Sequence, residues 1–227
     1  MIERFFSAQT TEIFPLSPLG YLMILLFLII LANLTFRYHQ KKRFQHFFQG
    51  IQWVQVIFLY IWYACCHIPL SESLPLYHCR IAILSLLLLP SKIAYKRYFA
   101  LLGMCGSTLA LTVPSFDPYP FWHLSTFSYL IGHYALFVNS LVYLLTDEKI
   151  SFLTRQQIIL STFGLNLLLI VANALTGGNY GFLQRSPIIN IHNVMLNYAL
   201  VSFVLSILLI LVNQVFNDKL KESLVAK

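Results

Sequence analysis

Charged residues are scarce in this sequence. Only 10% of its 227 residues are Asp, Glu, Lys or Arg, against about 25% in an average soluble domain. This is too few to give a soluble core of this size a polar coat, which excludes an ordinary water-soluble protein. Internal repeats, low-complexity linkers and a second domain are also absent, so we expect one compact helical domain in lipid.

Patterns that bind metals or nucleic acids are missing as well. The His-Glu-x-x-His and paired Cys-x-x-Cys spacings do not occur, so we expect no metal and no cofactor. The net charge of +7 comes without a nucleic-acid motif. The positive charge is therefore expected to set the orientation of the chain in the membrane and to contact anionic lipids, rather than to bind a nucleic acid.

Long apolar runs are the most prominent feature of the chain. A membrane helix needs about 20 mostly apolar residues, and seven runs come near that length. Because acidic residues and prolines precede the first run, we expect a retained helix there rather than a cleaved signal. The sequence predicts an all-α bundle of seven transmembrane helices in a single domain, 1–227, with spans at about 19–36, 51–68, 74–90, 98–113, 121–145, 157–175 and 194–215.

The distribution of basic residues predicts the orientation of these spans, because cytoplasmic loops retain Lys and Arg. With seven spans, Arg4, Arg80 and Arg185 lie on one side. The other side carries twelve basic residues, namely Arg37, Lys41, Lys42, Arg43, Lys92, Lys96, Arg97, Lys149, Arg155, Lys219, Lys221 and Lys227. We therefore expect the N-terminus outside, the C-terminus in the cytoplasm and a multi-pass protein of the bacterial cytoplasmic membrane whose partners are membrane lipids. The sequence does not indicate an oligomeric state.

Polar and ionisable side chains gather toward the outer side. Such groups are costly at membrane depth and usually face a bundle interior or a wet cavity, so we predict an outward-opening polar pocket. The alternative is that histidines and tyrosines at the interface only anchor helix ends. The outer histidines are His67, His78, His123, His133 and His192.

Arg80 is the most informative charge, because it lies roughly 7 Å into the third predicted span. It needs a partner there, and Glu72, Asp117 or a lipid phosphate would serve. Snorkelling to the interface is the alternative.

Cys79 is a candidate nucleophile, because the neighbouring positive charge of Arg80 favours the thiolate. His78 diverges from it by about 100° on a helix, so His133 or His123 is the better candidate base. His133 lies about 15 Å below the start of its span, deeper than Cys79, and helix tilt would have to bring the two together. A disulfide from Cys65 or Cys66 to Cys79 is the structural alternative.

The loop after the sixth predicted span contains three glycines that permit close backbone approach. It could fold over the pocket as a lid, with Asn179 and Tyr180 as hydrogen-bonding groups for a substrate. Ordinary turn chemistry is the alternative explanation.

Three short segments give the chain a family resemblance over most of its length. They are Leu74-Pro75-Leu76-Tyr77-His78-Cys79, the fifth span around His133, and Asn179-Tyr180 followed by Leu183 and Pro187. In these the chain resembles the YwaF family of bacterial membrane proteins, which is similar to eukaryotic transmembrane protein 164, a lipid acyltransferase thought to use a cysteine and a histidine. The resemblance implies that Cys79 and His133 are catalytic, and it extends more loosely to the threonine-and-histidine hydrolases of fatty acid esters of hydroxy fatty acids.

Two classes of function follow as hypotheses. In the first, Cys79 attacks a lipid acyl ester, His133 moves the proton, and the substrate is held by Arg80, His78, His123, Asn179 and Tyr180. In the second, the chain is not an enzyme: it is a transporter or lipid-binding protein, or an assembly factor whose polar residues only join helices.

Overall fold

The computed structural model describes residues 2–90, 93–146, 153–185 and 193–225. Of the residues that the sequence singles out, Lys92, Lys149, Pro187, His192 and Lys227 lie outside this part. The described chain contains nine α-helices and one 3-10 helix and no strand. The α-helices are α1 (Ile2–Phe5), α2 (Pro18–Tyr38), α3 (Lys42–Cys65), α4 (Leu70–Ser73), α5 (His78–Leu88), α6 (Tyr95–Thr112), α7 (Leu124–Thr146), α8 (Arg155–Thr176) and α9 (Val194–Val225), and the 3-10 helix is Tyr180–Phe182.

Each predicted span corresponds to one helix, which confirms the all-helical fold. Four of the described helices, α2, α7, α8 and the Val194–Asp218 part of α9, are long and apolar enough to cross a membrane. Three predicted spans remain. The helices α3 and α6 carry basic residues in their first turn, and α5 has 11 residues, about 16 Å of helix. The count of seven crossings and their orientation therefore remain predictions.

The third predicted span, 74–90, is too long by several residues at its start. Leu74 is extended, with φ −67° and ψ 149°, because the ring of Pro75 disfavours helical geometry in the residue before it. The helix begins only at His78 and ends at Leu88, shortly before Pro90. As a result α5 starts four residues later than predicted, after a non-helical segment that follows α4.

Capping residues set the ends of α8. Thr154 Oγ1 accepts a hydrogen bond from the backbone N–H of Gln157, and Gln157 Oε1 accepts one from the backbone N–H of Thr154, which satisfies two backbone donors at the start of the helix. At the other end, Gly177 has a φ of +72°, a left-handed conformation that glycine adopts without strain. The chain therefore turns sharply into the loop that contains Asn179.

The helices form an antiparallel bundle around α6 and α7. More than half of the residues of each of these two helices are buried, and α7 contacts α2, α3, α5 and α6. By contrast, α8 and α9 expose large apolar side chains to the surroundings, such as Leu168 (67%) and Met195 (68%). An outer surface of this kind is stable only in lipid, in agreement with the composition.

The two ends of the bundle differ in character. One end, called the basic end here, is where α2 ends and α3, α6 and α8 begin; it carries seven of the described basic residues, Arg37, Lys41, Lys42, Arg43, Lys96, Arg97 and Arg155. The opposite end, called the Cys79 end, is where α5 and α7 begin. The N-terminal segment crosses it, since the Phe6 carbonyl accepts from Trp62 Nε1 at 2.9 Å and Thr11 N–H donates to Pro118 O at 2.8 Å.

Candidate functional site

Cys79 is the second residue of α5, and its sulfur faces α6. A Cβ added to Gly106 would lie 3.0 Å from that sulfur, so the absent side chain leaves the space in which the thiol sits. Cys79 is half-buried, and all four cysteines are free thiols. The disulfide from Cys65 or Cys66 to Cys79 is therefore not formed.

The backbone of α7 fixes the orientation of His133. Its Nδ1–H donates to the Tyr129 carbonyl one turn earlier, at 2.7 Å, because a carbonyl oxygen only accepts. The lone pair is then on Nε2, and within the described residues no hydrogen bond reaches that nitrogen. An imidazole held in this tautomer is able to accept a proton at Nε2.

Helix geometry gives approximate depths for Cys79 and His133, each counted from a helix end at the Cys79 end. Gly106, beside the thiol, is six residues before the end of α6, about 9 Å along the axis, and His133 is nine residues into α7, about 14 Å. Counted from these two helix ends, the levels differ by about 5 Å. The contact between the thiol and the imidazole stays a prediction.

Tyr129 lies beside both residues. Its ring packs against the imidazole of His133 with 4.3 Å between centroids, and its hydroxyl lies within electrostatic range of the Cys79 thiol. The same hydroxyl donates to Ala110 O on α6 at 2.6 Å. Within the described part of the chain, no hydrogen bond joins the Cys79 thiol directly to the His133 ring.

Arg80 is held by neutral oxygens rather than by a carboxylate. Its Nη1 donates to the backbone carbonyls of Glu72 at 2.8 Å and Leu74 at 3.3 Å, and its Nη2 donates to the Tyr63 hydroxyl. The Asp117 carboxylate is near enough for an electrostatic interaction, but among the described residues it forms no ion pair with Arg80. Of the partners expected from sequence, Glu72 therefore contributes its backbone only.

Aromatic rings enclose the same guanidinium. Its carbon lies 5.1 Å from the centroid of the Tyr63 ring and 4.9 Å from that of Tyr77, distances typical of cation–π contacts. The Tyr60 hydroxyl and the His133 ring also lie within electrostatic range of Arg80. This arrangement fixes the positive charge of Arg80 within electrostatic range of both His133 and the Cys79 thiol.

The groove next to Arg80 is small. It runs between α3 and α5, has a volume of about 10 Å³ and is lined by Gln55, Val56, Leu59, Tyr60, Arg80, Ile83 and Leu84. A lipid group that approaches Arg80 from this side therefore has to separate α3 from α5. The predicted outward-opening pocket remains a prediction.

His78 points away from Cys79, as their spacing predicts. Its Nε2–H donates to the Asn166 side-chain oxygen on α8 at 2.7 Å, and Asn166 in turn donates to Ser202 on α9 at 2.9 Å. The ring also packs closely against Gly181, where an added Cβ would lie 2.9 Å from Cε1. These contacts join α5, α8 and α9, so the observed role of His78 is structural.

His123 caps the start of α7 and is fully buried. Its Nδ1 accepts from the backbone N–H of Ser125 at 3.1 Å, and its Nε2–H donates to the Ser7 carbonyl at 2.9 Å. The ring stacks on Tyr119 with 4.2 Å between centroids. Both ring nitrogens are thus occupied, and a substrate would reach His123 only if the N-terminal segment moved.

We expect acid to weaken this capping arrangement. Burial lowers the pKa of His123, while the hydrogen bond to Ser7 and the nearby Asp117 act in the opposite direction. A histidine with a lowered folded-state pKa stabilises the fold above its ordinary pKa of 6.5, and this contribution is lost as the pH falls toward the folded-state value. The unfolding temperature in detergent should therefore fall between about pH 7 and pH 5.

The matched variants are His123→Gln and His67→Gln. His67 is an exposed histidine at the same end of the bundle, so its replacement should leave the pH dependence as it is. The His123→Gln protein should show a shallower slope, because glutamine does not titrate. Equal slopes in the two variants would show that another group causes the acid sensitivity.

Asn179 and Tyr180 hold their own loop in place. Asn179 Oδ1 accepts from the backbone N–H groups of Gln184 and Arg185, both at 3.0 Å. Tyr180 is fully buried and is fixed by Asn173, whose side chain accepts from its N–H at 2.7 Å and donates to its carbonyl at 2.9 Å. Their predicted contacts with a substrate stay predictions, and their present contacts favour a structural role for the loop.

Within the described residues, no three His, Cys, Asp or Glu side chains form a group that could hold a metal ion. The described polar groups at the Cys79 end include the Cys79 thiol, the His133 imidazole, the Arg80 guanidinium, the Asp117 carboxylate and several tyrosine hydroxyls. A thiol is suited to nucleophilic attack on a carbonyl carbon when a base lies within hydrogen-bond reach of it.

The sequence reasoning missed Gly106, Tyr60 and Tyr63 as neighbours of the site. A signal for Gly106 existed: Gly103 and Gly106 lie three residues apart on α6, so both face the same side of the helix. No comparable signal marks Tyr60 and Tyr63, because tyrosines near a helix end are common at membrane interfaces.

Substitution of Gly106 should reduce activity more than stability. In Gly106→Ala the new methyl group would press on the Cys79 sulfur at 3.0 Å, and this sulfur can move by rotation of one side-chain torsion. We expect an unfolding temperature close to that of the wild type and a loss of about tenfold in any reaction that depends on the thiol. Gly50→Ala, which would place its Cβ in open space, is the control, and full activity in Gly106→Ala would contradict this role of the glycine.

An all-helical bundle with an apolar outer surface and a buried cluster of polar groups near one end defines a multi-pass integral membrane protein. The sequence profile of the TMEM164 family matches residues 5–215, and the chain belongs to that family. No curated protein and no solved structure matches it.

Proposed function

We propose that this protein transfers or hydrolyses acyl groups of membrane lipids, with Cys79 as the nucleophile and His133 as the general base. The observation that carries the proposal is the tautomer of His133, whose Nδ1–H donates to the Tyr129 carbonyl and whose Nε2 is left without a hydrogen-bond partner among the described residues. The resemblance to transmembrane protein 164, a lipid acyltransferase, supports the same chemistry. The narrower resemblance to the YwaF family, and with it a place in the bacterial cytoplasmic membrane, is part of this proposal.

The first step forms a thioester. His133 Nε2 takes the proton of the Cys79 thiol as the sulfur attacks the carbonyl carbon of a lipid ester. The carbonyl oxygen becomes an oxyanion, and collapse of this intermediate breaks the ester C–O bond. The leaving alkoxide takes the proton from His133 and departs as an alcohol.

The second step regenerates the enzyme. An acceptor hydroxyl, or water, gives its proton to His133 and attacks the thioester carbonyl, and the Cys79 sulfur leaves and is protonated again. With a lipid hydroxyl as acceptor the reaction is acyl transfer, and with water it is hydrolysis.

Arg80 is the group best placed to stabilise the oxyanion. A guanidinium has five N–H donors, of which three donate to Glu72 O, Leu74 O and Tyr63. The surrounding tyrosines and backbone carbonyls keep it fixed, and a fixed donor costs no reorganisation when the charge develops.

The test is to trap the thioester. The purified protein in nanodiscs is incubated with a phospholipid that carries an alkyne-tagged acyl chain, and the tag is located by peptide mass spectrometry and by its release with neutral hydroxylamine. We expect the tag on Cys79 in the wild type and in the Cys65→Ala control, in which an exposed thiol is removed, and no tag in Cys79→Ala.

A tag that persists in Cys79→Ala would overturn the proposed nucleophile. If no tag forms with any lipid and the lipid composition of cells is the same with Cys79→Ala as with the wild type, the chain is not an acyl-transfer enzyme. The transporter, lipid-binding and assembly hypotheses would then remain.

A further inference from the structure

The basic end of the bundle contains a second polar site, far from Cys79. A cleft of about 620 Å³ lies between the start of α8 and the last part of α9. Leu153, Ile158 and Ile210 form its apolar wall. Its polar lining consists of Thr154, Arg155, Asn213, Gln214, Asn217 and Asp218.

Arg97 lies directly behind this lining. It is only 1% exposed, and its Nε donates to Asn213 Oδ1 at 3.0 Å while its Nη2 donates to Asn217 Oδ1 at 2.9 Å. Both asparagine oxygens are turned toward Arg97, so their amide nitrogens are turned away from it. The Asn213 nitrogen donates to Leu153 O at 3.2 Å.

Two donor groups of the cleft remain available to a ligand. No described residue accepts a hydrogen bond from the Asn217 side-chain nitrogen. Arg155 is exposed, and the Gln214 oxygen, in the amide orientation that satisfies both groups, accepts from Arg155 Nη2 at 2.6 Å and from Nε at 3.3 Å. Gln214 therefore orients the guanidinium, and no other described residue accepts a hydrogen bond from it.

We propose that this cleft binds a phosphate group, with Arg155 and the Asn217 amide as its direct donors and Arg97 as the buried charge that orients Asn217. A guanidinium fork matches the oxygens of a phosphate, and basic sites between transmembrane helices at the cytoplasmic side bind anionic lipid headgroups. The apolar wall beside the polar lining fits a lipid phosphate, whose acyl chains would continue along α8 and α9.

Asp218 is the group in the cleft that opposes an anion. It is exposed, so solvent screens its charge. Substitutions of the two charges should change phosphate affinity in opposite directions: Asp218→Asn should tighten phosphate binding, whereas Arg155→Gln should weaken it.

The full-length protein in a zwitterionic detergent provides the test. Its unfolding temperature is followed during titration with short-chain phosphatidylglycerol, with phosphatidylcholine and with inorganic phosphate. We expect phosphatidylglycerol to stabilise the wild type, and its apparent affinity to fall by about tenfold in Arg155→Gln. Arg37→Gln removes the same charge from an exposed position at the same end and should bind as the wild type does.

Each outcome decides the proposal. Equal weakening in Arg155→Gln and Arg37→Gln would reveal only general surface charge and would overturn it, as would unchanged affinity in Arg155→Gln. If Arg155→Gln does not fold, Asn217→Ala takes its place, with the same expected loss relative to Arg37→Gln. Stabilisation by inorganic phosphate as strong as that by phosphatidylglycerol, lost in the same variants, would identify a free phosphate as the ligand and support the site.

Discussion

Replacement of His133 by Asn is expected to lower acyl transfer by about 10²- to 10⁴-fold, the usual contribution of a general base. An asparagine amide can still donate to the Tyr129 carbonyl, which His133 contacts at 2.7 Å, but it cannot accept the proton of the thiol. The variant therefore separates the loss of a base from the loss of a helix contact. The measurement is the initial rate of thioester formation on Cys79 in nanodiscs.

His67→Asn is the matched control. It makes the same change at an exposed histidine of the Cys79 end, and asparagine tolerates the positive φ of 50° at that position. We expect its rate to equal that of the wild type. A His133→Asn protein that retains its unfolding temperature and its full rate would exclude His133 as the base.

Replacement of Gly103 by Ala is expected to destabilise the bundle by about 2 kcal/mol, within the usual range for overpacked cores. A Cβ on Gly103 would lie 2.5 Å from Ser140 Oγ and 2.8 Å from Leu136 Cδ1. Both atoms belong to fully buried side chains of α7, so these side chains would have to take other rotamers in a packed core or the two most buried helices would have to move apart. Small residues at such contacts are what allows membrane helices to pack closely.

Gly164→Ala makes the same change in α8, where no described atom lies within 4 Å of the added Cβ. In a helix interior alanine is favoured over glycine by about 0.5–1 kcal/mol, so this variant should be slightly stabilised. The free energy of unfolding in mixed micelles measures both. Equal changes in the free energy of unfolding in the two variants would contradict the close packing of α6 against α7.

The helices of this fold could be predicted from sequence because lipid imposes a simple requirement. Each helix must satisfy its own backbone and present apolar side chains outward, which leaves long apolar runs in the sequence. The start of α5 could not be placed in the same way. The sequence is mostly apolar back to Leu74, so hydropathy alone extends the predicted span 74–90 to that residue. The effect of Pro75 on its neighbours decides where the helix begins.

The candidate site was only partly predictable for a related reason. Cys79, Arg80 and His133 carry unusual chemistry for membrane depth and are visible in the sequence. The partners of Arg80 are mostly backbone carbonyls, however, and a carbonyl has no signature in a sequence. The same holds for His123, whose capping of α7 depends on the path of the N-terminal segment.

The depth at which α5 begins has a consequence for selectivity. The thiol stands about 9 Å below the end of α6, and the backbone sets this level rather than a side-chain torsion. A lipid that is anchored by its headgroup at the interface would present to the sulfur only the bond that reaches this level. The segment before α5 would then act as a molecular ruler, and shortening it would raise the sulfur and change which ester is cleaved.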